Sequence, residues 1–115
     1  MKRMTARTLD VTMQKIEKEI NDNPEPISGM DTVYKFEIDG EVFQMRLKDQ
    51  KAELLSESDK QVDCTLKMSY DNFQKFLNGK LNGMTAFMTG KLKIDGDMTK
   101  ALKLESVVKK YDLNI

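Results

Sequence analysis

Two alternating runs, Tyr34-Lys-Phe-Glu-Ile38 and Phe43-Gln-Met-Arg-Leu47, flank the dipeptide Asp39-Gly40, and no other part of the chain limits the fold as strongly. Successive side chains of a strand point to opposite faces, so Tyr34, Phe36, Ile38, Phe43, Met45 and Leu47 make one apolar face. Lys35, Glu37, Gln44 and Arg46 make the other. Asp-Gly readily adopts the left-handed backbone of a two-residue turn, which pairs the runs as an antiparallel hairpin. A lone hairpin is marginal in water, so its apolar face needs a cover.

The rest of the chain supplies one. Leu9, Met13, Ile16 and Ile20 recur at helical spacing, which predicts an amphipathic helix over about residues 8–21, stopped by Asn23-Pro24. Residues 1–7 are expected to be flexible. Lys48-Asp49-Gln50-Lys51 turns the chain into a weaker strand over 52–57, followed by a polar loop over 58–61. Cys64, Leu66 and Met68 then form an inward face, and Ser69 stands where a helix N-cap is needed ahead of Phe73, Phe76 and Leu77. After Gly79 come a loop ending at Asn82 and a short helix directing Met84, Phe87 and Met88 to the core, with a stop at Gly90. A strand over 91–94 turns Leu92 and Ile94 inward and Lys91 and Lys93 outward. Gly96-Asp97 gives a turn and the N-cap of a last helix. These elements predict an α+β fold: a five-stranded, largely antiparallel sheet with helices packed on one face. Its other face is then polar and solvated, carrying Lys35, Glu37, Gln44, Arg46, Thr65, Lys67, Lys91 and Lys93.

Composition narrows the function. A chain of 115 residues suits a single domain over 1–115, and a formal net charge of zero gives no general attraction to nucleic acid. No apolar run is long enough to span a bilayer, no apolar signal region follows Met1 to Arg7, and Leu113-Asn114-Ile115 is not a peroxisomal signal. A cytoplasmic location is expected. The single cysteine precludes an internal disulfide and suits a reducing compartment. With no histidine, no nucleophile elbow, no P-loop and no ligand cluster of zinc spacing, the chain is expected to be no enzyme and to need neither metal nor cofactor. Cys64, on an inward strand position, reads as a small buried hydrophobe. Asp95-Gly96-Asp97 lacks the remaining ligands of a calcium loop and reads as turn and cap. On spacing alone, Met45, Met68, Met84, Phe87, Met88 and Met98 read as ordinary core.

Residues 79–104 add a more specific signal. Gly79-Lys-Leu-Asn-Gly-Met-Thr-Ala-Phe-Met-Thr-Gly-Lys-Leu-Lys-Ile-Asp-Gly-Asp-Met-Thr-Lys-Ala-Leu-Lys-Leu104 resembles the C-terminal signature of the sterol carrier protein type 2 domain, whose usual form is close to GKLNPMTAFMSGKLKIKGDMALALKL. The likeness is strong over about 62–108 and looser over 8–57. It implies an apolar tunnel between sheet and helices that binds a fatty acyl chain, acyl-CoA, phospholipid or sterol-like molecule without catalysis. Phe36, Met45, Leu66, Met68, Leu92 and Ile94 would line it from the sheet side. Met84, Phe87, Met88, Met98, Ala101, Leu102, Glu105 and Val108 would line it from the helices. Flexible thioethers suit a cavity that repacks around different chains. The alternative is an accessory module whose apolar groove packs against a partner enzyme or a second copy.

Two departures from the family pattern stand out. Gly83 replaces a common proline, which is expected to loosen the start of the Met84 helix into a mobile lid. Glu105 replaces a common glutamine within the apolar stripe of the last helix, where it either reaches a lipid head group or pairs with Lys109 at the helix edge. Lys91 and Lys93, with Lys2, Arg3 and Arg7, read as solvated surface charge, with weak, transient attraction to anionic membrane surfaces as the alternative.

Overall fold

The computed structural model describes residues 6–55, 61–111 and 113. Helix α1 (Ala6–Asp22) precedes a 3₁₀ turn (Glu25–Ile27) and strands β1 (Asp31–Ile38), β2 (Glu41–Lys48), β3 (Lys51–Leu55) and β4 (Cys64–Met68). Helices α2 (Tyr70–Leu77) and α3 (Gly83–Met88), strand β5 (Lys93–Gly96) and helix α4 (Met98–Val108) follow. Helix α1 begins two residues earlier than its spacing predicts, so Ala6 and Arg7, expected to be flexible with the rest of 1–7, belong to the helix, while 1–5 lie outside the described residues. The last residues of the strand and most of the loop expected between Ala52 and Gln61 also lie outside them.

The five strands form one sheet in the order β3-β2-β1-β4-β5. Every pairing is antiparallel except β1 with β4, which run parallel, so the sheet is mixed and mostly antiparallel. The hairpin forms as its sequence requires, with Asp39 at φ 48° and Gly40 at φ 85°. Its register places Tyr34 beside Met45 and Phe36 beside Phe43.

Helices cover one face of this sheet. Leu9, Met13, Ile16 and Ile20 of α1, Phe73, Phe76 and Leu77 of α2, and Ala101, Leu104, Val107 and Val108 of α4 are buried against Tyr34, Phe36, Ile38, Met45, Leu47, Cys64, Leu66 and Met68. Helix α1 also shields the edge strand β3. The Asn21 amide donates to the Ala52 carbonyl and accepts from the Ala52 N–H at 2.9 and 2.7 Å, while Glu17 accepts from the Leu54 N–H at 2.8 Å. An edge whose backbone groups are so occupied is a poor template for another chain.

Two expectations for the outer face need correction. Gln44 is on that face but only 5% exposed, and its side-chain oxygen has no hydrogen-bond partner among the described residues. Lys91 precedes β5, which starts at Lys93 rather than at 91 because Lys91 and Leu92 still donate to the Ala86 carbonyl and close the preceding helix.

Candidate functional site

Ser69 accepts from the Asn72 N–H at 3.2 Å and starts α2, so the chain reaches Leu77 and then turns back toward α3. Asn82 caps α3 in the same way, its side-chain oxygen accepting from Thr85 N–H at 3.0 Å. Asp97 caps α4 by accepting from Thr99 N–H at 2.9 Å. Tyr34 then ties α4 to the sheet, donating its hydroxyl to the Lys100 carbonyl at 2.7 Å, while the Lys100 ammonium donates to Thr32 Oγ1 at 3.1 Å. Neither Tyr34 nor Lys100 stands out in the sequence as more than a core residue and a surface lysine. Their pairing spans 66 positions, and no local pattern encodes it.

Glu105 of α4 reaches the first turn of α3. Its Oε2 accepts from the Gly83 N–H at 3.2 Å and lies 3.3 Å from Lys109 Nζ, and its side chain is 14% exposed. A carboxylate is well placed at a helix N-terminus, where first-turn amides lack intrahelical partners. Gly83 is needed for this contact, since a Cβ there would stand 2.4 Å from Glu105 Oε1. Glycine lets the carboxylate approach, and its N–H, which proline would lack, receives the bond, so the departure from proline gives α3 a tie to α4.

The contact sets how α3 faces the protein. Only Gly83 and Ala86 are buried, while Met84 is 44%, Phe87 38% and Met88 78% exposed. The three long side chains share a broad side, as their spacing requires, but that side does not face the core. Gly83 and Ala86 take the inward side, Gly83 bound by Glu105, and the Lys91 and Leu92 amides donate to the Ala86 carbonyl. At about 100° per residue, Phe87 borders the buried side and Met88 lies nearly opposite it.

The same split runs through the other expected site residues. Phe36, Met45, Leu66, Met68, Leu92, Ala101 and Val108 are buried. Ile94 and Met98 are half-buried, and Ile94 pairs with Leu66 across β4 and β5. Leu102, expected inside, is 39% exposed because Ala101, Leu104, Val107 and Val108 take the inward side of α4. Glu105 follows Leu102 by one turn, so Met98, Leu102 and Glu105 form a flank of α4 that leads to the α3 contact. Among the candidates, Glu105 is the one seen to join α4 to α3, through Gly83, whereas Phe36 and Met45 belong to the core, with the Phe36 and Phe73 rings 5.7 Å apart.

Cys64 is fully buried, and burial, reinforced by the carboxylates of Asp97, Asp63 and Asp95, pushes its thiol up to about 11. The thiolate needed for nucleophilic chemistry is thus disfavoured. Because an unfolded cysteine ionises near 8.5, the unfolded state loses its proton first as pH rises. The stability contributed by this group is full below that value and is lost as pH climbs toward about 11. We expect urea midpoints to fall over that window and Cys64→Val to shallow the fall, with Cys64 resisting alkylation at pH values near 8 until the protein is unfolded. Rapid alkylation of the folded protein would refute this. Among the described residues, no group of three or more histidine, cysteine or carboxylate side chains is placed to hold a metal, and no helix is long and apolar enough to cross a membrane.

Comparison with known proteins bears on this arrangement. The model of the SCP-2 sterol transfer family matches residues 13–109. Sterol carrier protein 2 of Bos taurus is 32% identical over 105 residues, covering 85% of this chain and 19% of the relative. Hydroxysteroid dehydrogenase-like protein 2 of Bos taurus is 38% identical over 86 residues, covering 71% of this chain and 21% of the relative. The chain thus spans about a fifth of the length of these two relatives. The solution structure of sterol carrier protein 2 from Aedes aegypti, in complex with palmitate, superposes with a TM-score of 0.63 at 24% identity, covering 88% of this chain and 97% of that one. With the α+β fold shared and the family model matched across the sheet, α3 and α4, this chain belongs to the SCP-2 sterol transfer family.

Proposed function

We propose that the chain is a single, non-enzymatic lipid-binding domain that takes up an apolar lipid, such as a fatty acyl chain, acyl-CoA, phospholipid or sterol-like molecule, where α3 and α4 meet the sheet. The observation that carries this reading is that Met84, Phe87 and Leu102 stay exposed and Met98 and Ile94 half-buried, outside the closed core, on α3, α4 and β5, with α3 tied to α4 through Glu105 and Gly83. Large apolar side chains left exposed to water gain from an apolar ligand laid against them. The palmitate complex of the mosquito relative supports an acyl chain as the occupant. Burying ten methylenes at about 0.8 kcal/mol each supplies roughly 8 kcal/mol before ordering costs, which corresponds to micromolar or weaker affinity. A tunnel between the layers, transfer of the ligand between membranes and a cytoplasmic location belong to the same reading.

A second reading is favoured by the length of the relatives. Because matching segments occupy about a fifth of longer proteins, one of them dehydrogenase-like, the same junction could present a lipid to, or pack against, a partner enzyme. Organic extraction of the purified protein followed by mass spectrometry separates the two. We expect a co-purified lipid, and saturable, competable binding of a fluorescent fatty-acid analogue after delipidation. Absence of both would reject lipid binding and leave the partner reading.

A further inference from the structure

Asn-Gly occurs twice in the chain, at Asn78-Gly79 and Asn82-Gly83, at the two ends of the connection between α2 and α3. The pair is chemically labile, because glycine has no Cβ to keep its own nitrogen from swinging against the side-chain carbon of the asparagine before it. Leucine precedes both asparagines, so a difference in reactivity between them comes from the fold.

At Asn82-Gly83 both reacting groups are held. The Asn82 side-chain oxygen accepts from the Thr85 N–H at 3.0 Å, and the Gly83 N–H donates to Glu105 Oε2 at 3.2 Å. The Glu105 carboxylate also opposes the negative charge that the Gly83 nitrogen must take on before it can attack. Proline, common here in the family pattern, has no amide proton to lose, so the departures at 83 and 105 meet at one peptide bond. Asn78-Gly79 has no such restraint. Asn78 caps the end of α2, both residues are exposed, and no hydrogen bond engages the Asn78 side chain among the described residues. The Gly79 N–H donates to the Phe76 carbonyl at 3.2 Å, in a last turn of the kind that frays. Asn78 and Gly79 line an open cleft of about 480 Å³ with Lys80 and Lys109, whose positive charges favour the anion.

We propose that Asn78 is a site of spontaneous deamidation in the folded protein and that Glu105 shields Asn82 from the same reaction. Hydroxide takes the Gly79 amide proton, and the nitrogen attacks Asn78 Cγ. A new C–N bond forms as the Cγ–Nδ2 bond breaks, and the leaving nitrogen takes a proton from water and departs as ammonia, which regenerates hydroxide. Water then opens the succinimide ring at one or other carbonyl, giving aspartate or isoaspartate. The net change is asparagine plus water to an acid plus ammonia, with no oxidant or reductant. Either product adds a carboxylate to the cleft that Lys80 and Lys109 line, so Lys109 gains an acidic neighbour besides Glu105. Isoaspartate also inserts a methylene into the backbone just before the Lys80 and Leu81 amides, which both donate to the Lys75 carbonyl and close α2.

The test is incubation of the full chain in mildly alkaline buffer, followed by trypsin digestion and mass spectrometry. Cleavage after Lys75, Lys80 and Lys91 places the two asparagines in separate peptides, so each rate is read independently. In the folded wild type Asn78 should convert at least about tenfold faster than Asn82, the factor that release of a hydrogen bond to a charged group implies. In urea the two rates should converge. Glu105→Ala should speed Asn82 about tenfold and leave Asn78 as it was. Glu105→Gln, whose amide oxygen can still accept from the Gly83 N–H, should keep part of the protection, and it decides the role of Glu105 if Glu105→Ala does not fold. Equal rates at the two asparagines of the folded wild type overturn the proposal, as does an Asn78 that stays intact while the urea-unfolded chain converts. An Asn82 rate unchanged in folded Glu105→Ala, or raised in Glu105→Gln to its value in urea, overturns the shielding by Glu105.

Discussion

Gly96→Ala is expected to lower stability by about 3 kcal/mol, combining backbone strain with a forced overlap. Gly96 has φ 100°, a conformation that side chains rarely adopt, and an added Cβ would stand 2.6 Å from the Asp63 carbonyl oxygen. That oxygen belongs to backbone already fixed on both sides. Asp63 N–H donates to the Val33 carbonyl at 2.9 Å, its carboxylate accepts from the Val33 N–H at 2.8 Å, and its carbonyl accepts from the Asp97 N–H at 3.1 Å. The new methyl cannot be accommodated without separating β5 from β4 and moving Asp97, the cap of α4. Urea denaturation should show the loss as a lower midpoint with little change in slope. Gly40→Ala is the control, because its φ is 85° but nothing lies within 4 Å of the added Cβ. Its cost should be limited to the left-handed backbone, about 1 to 2 kcal/mol. Equal losses in the two variants would mean that close packing at Gly96 contributes nothing.

Glu105→Ala should destabilise the protein by about 1.5 to 3 kcal/mol, the usual range for a hydrogen bond to a charged group. Most of this belongs to the Gly83 N–H, because Lys109 is 51% exposed and an exposed ion pair contributes little. Gly83→Ala tests the geometry more sharply. In the wild-type background the new Cβ would displace the carboxylate and cost stability, but in the Glu105→Ala background it meets no carboxylate. There alanine should gain about 0.5 to 1 kcal/mol through its helix propensity. A reversal of sign across this double-mutant cycle is the expected result, read by urea unfolding. Amide exchange should agree, with Gly83 exchanging faster in Glu105→Ala than in the wild type. Additive effects would mean that Glu105 and Gly83 do not act as a pair. Fatty-acid binding in the same variants then reports whether the position of α3 matters for the ligand.

The elements legible in the sequence are those whose cause is local. Asp39-Gly40 adopts a tight turn because its residues tolerate left-handed backbone. Ser69, Asn82 and Asp97 start helices because each side chain reaches an amide two or three residues ahead. Alternation over residues 34–38 and 64–68 identified the buried sheet face, and the pattern over 79–104 identified the family. Local spacing does not say which neighbour a face will meet. Met84, Phe87 and Met88 do share one broad side of a helix, but that side points outward, because Gly83, which receives Glu105, and Ala86 take the inward side. The parallel pairing of β1 with β4, the tie from Tyr34 to Lys100 and the burial of Gln44 were likewise settled in three dimensions. Turns and caps depend on atoms a few bonds apart, so residue type determines them. The orientation of a short uncharged helix depends on which side can come closest to the rest of the protein, and at α3 the two smallest residues made that choice.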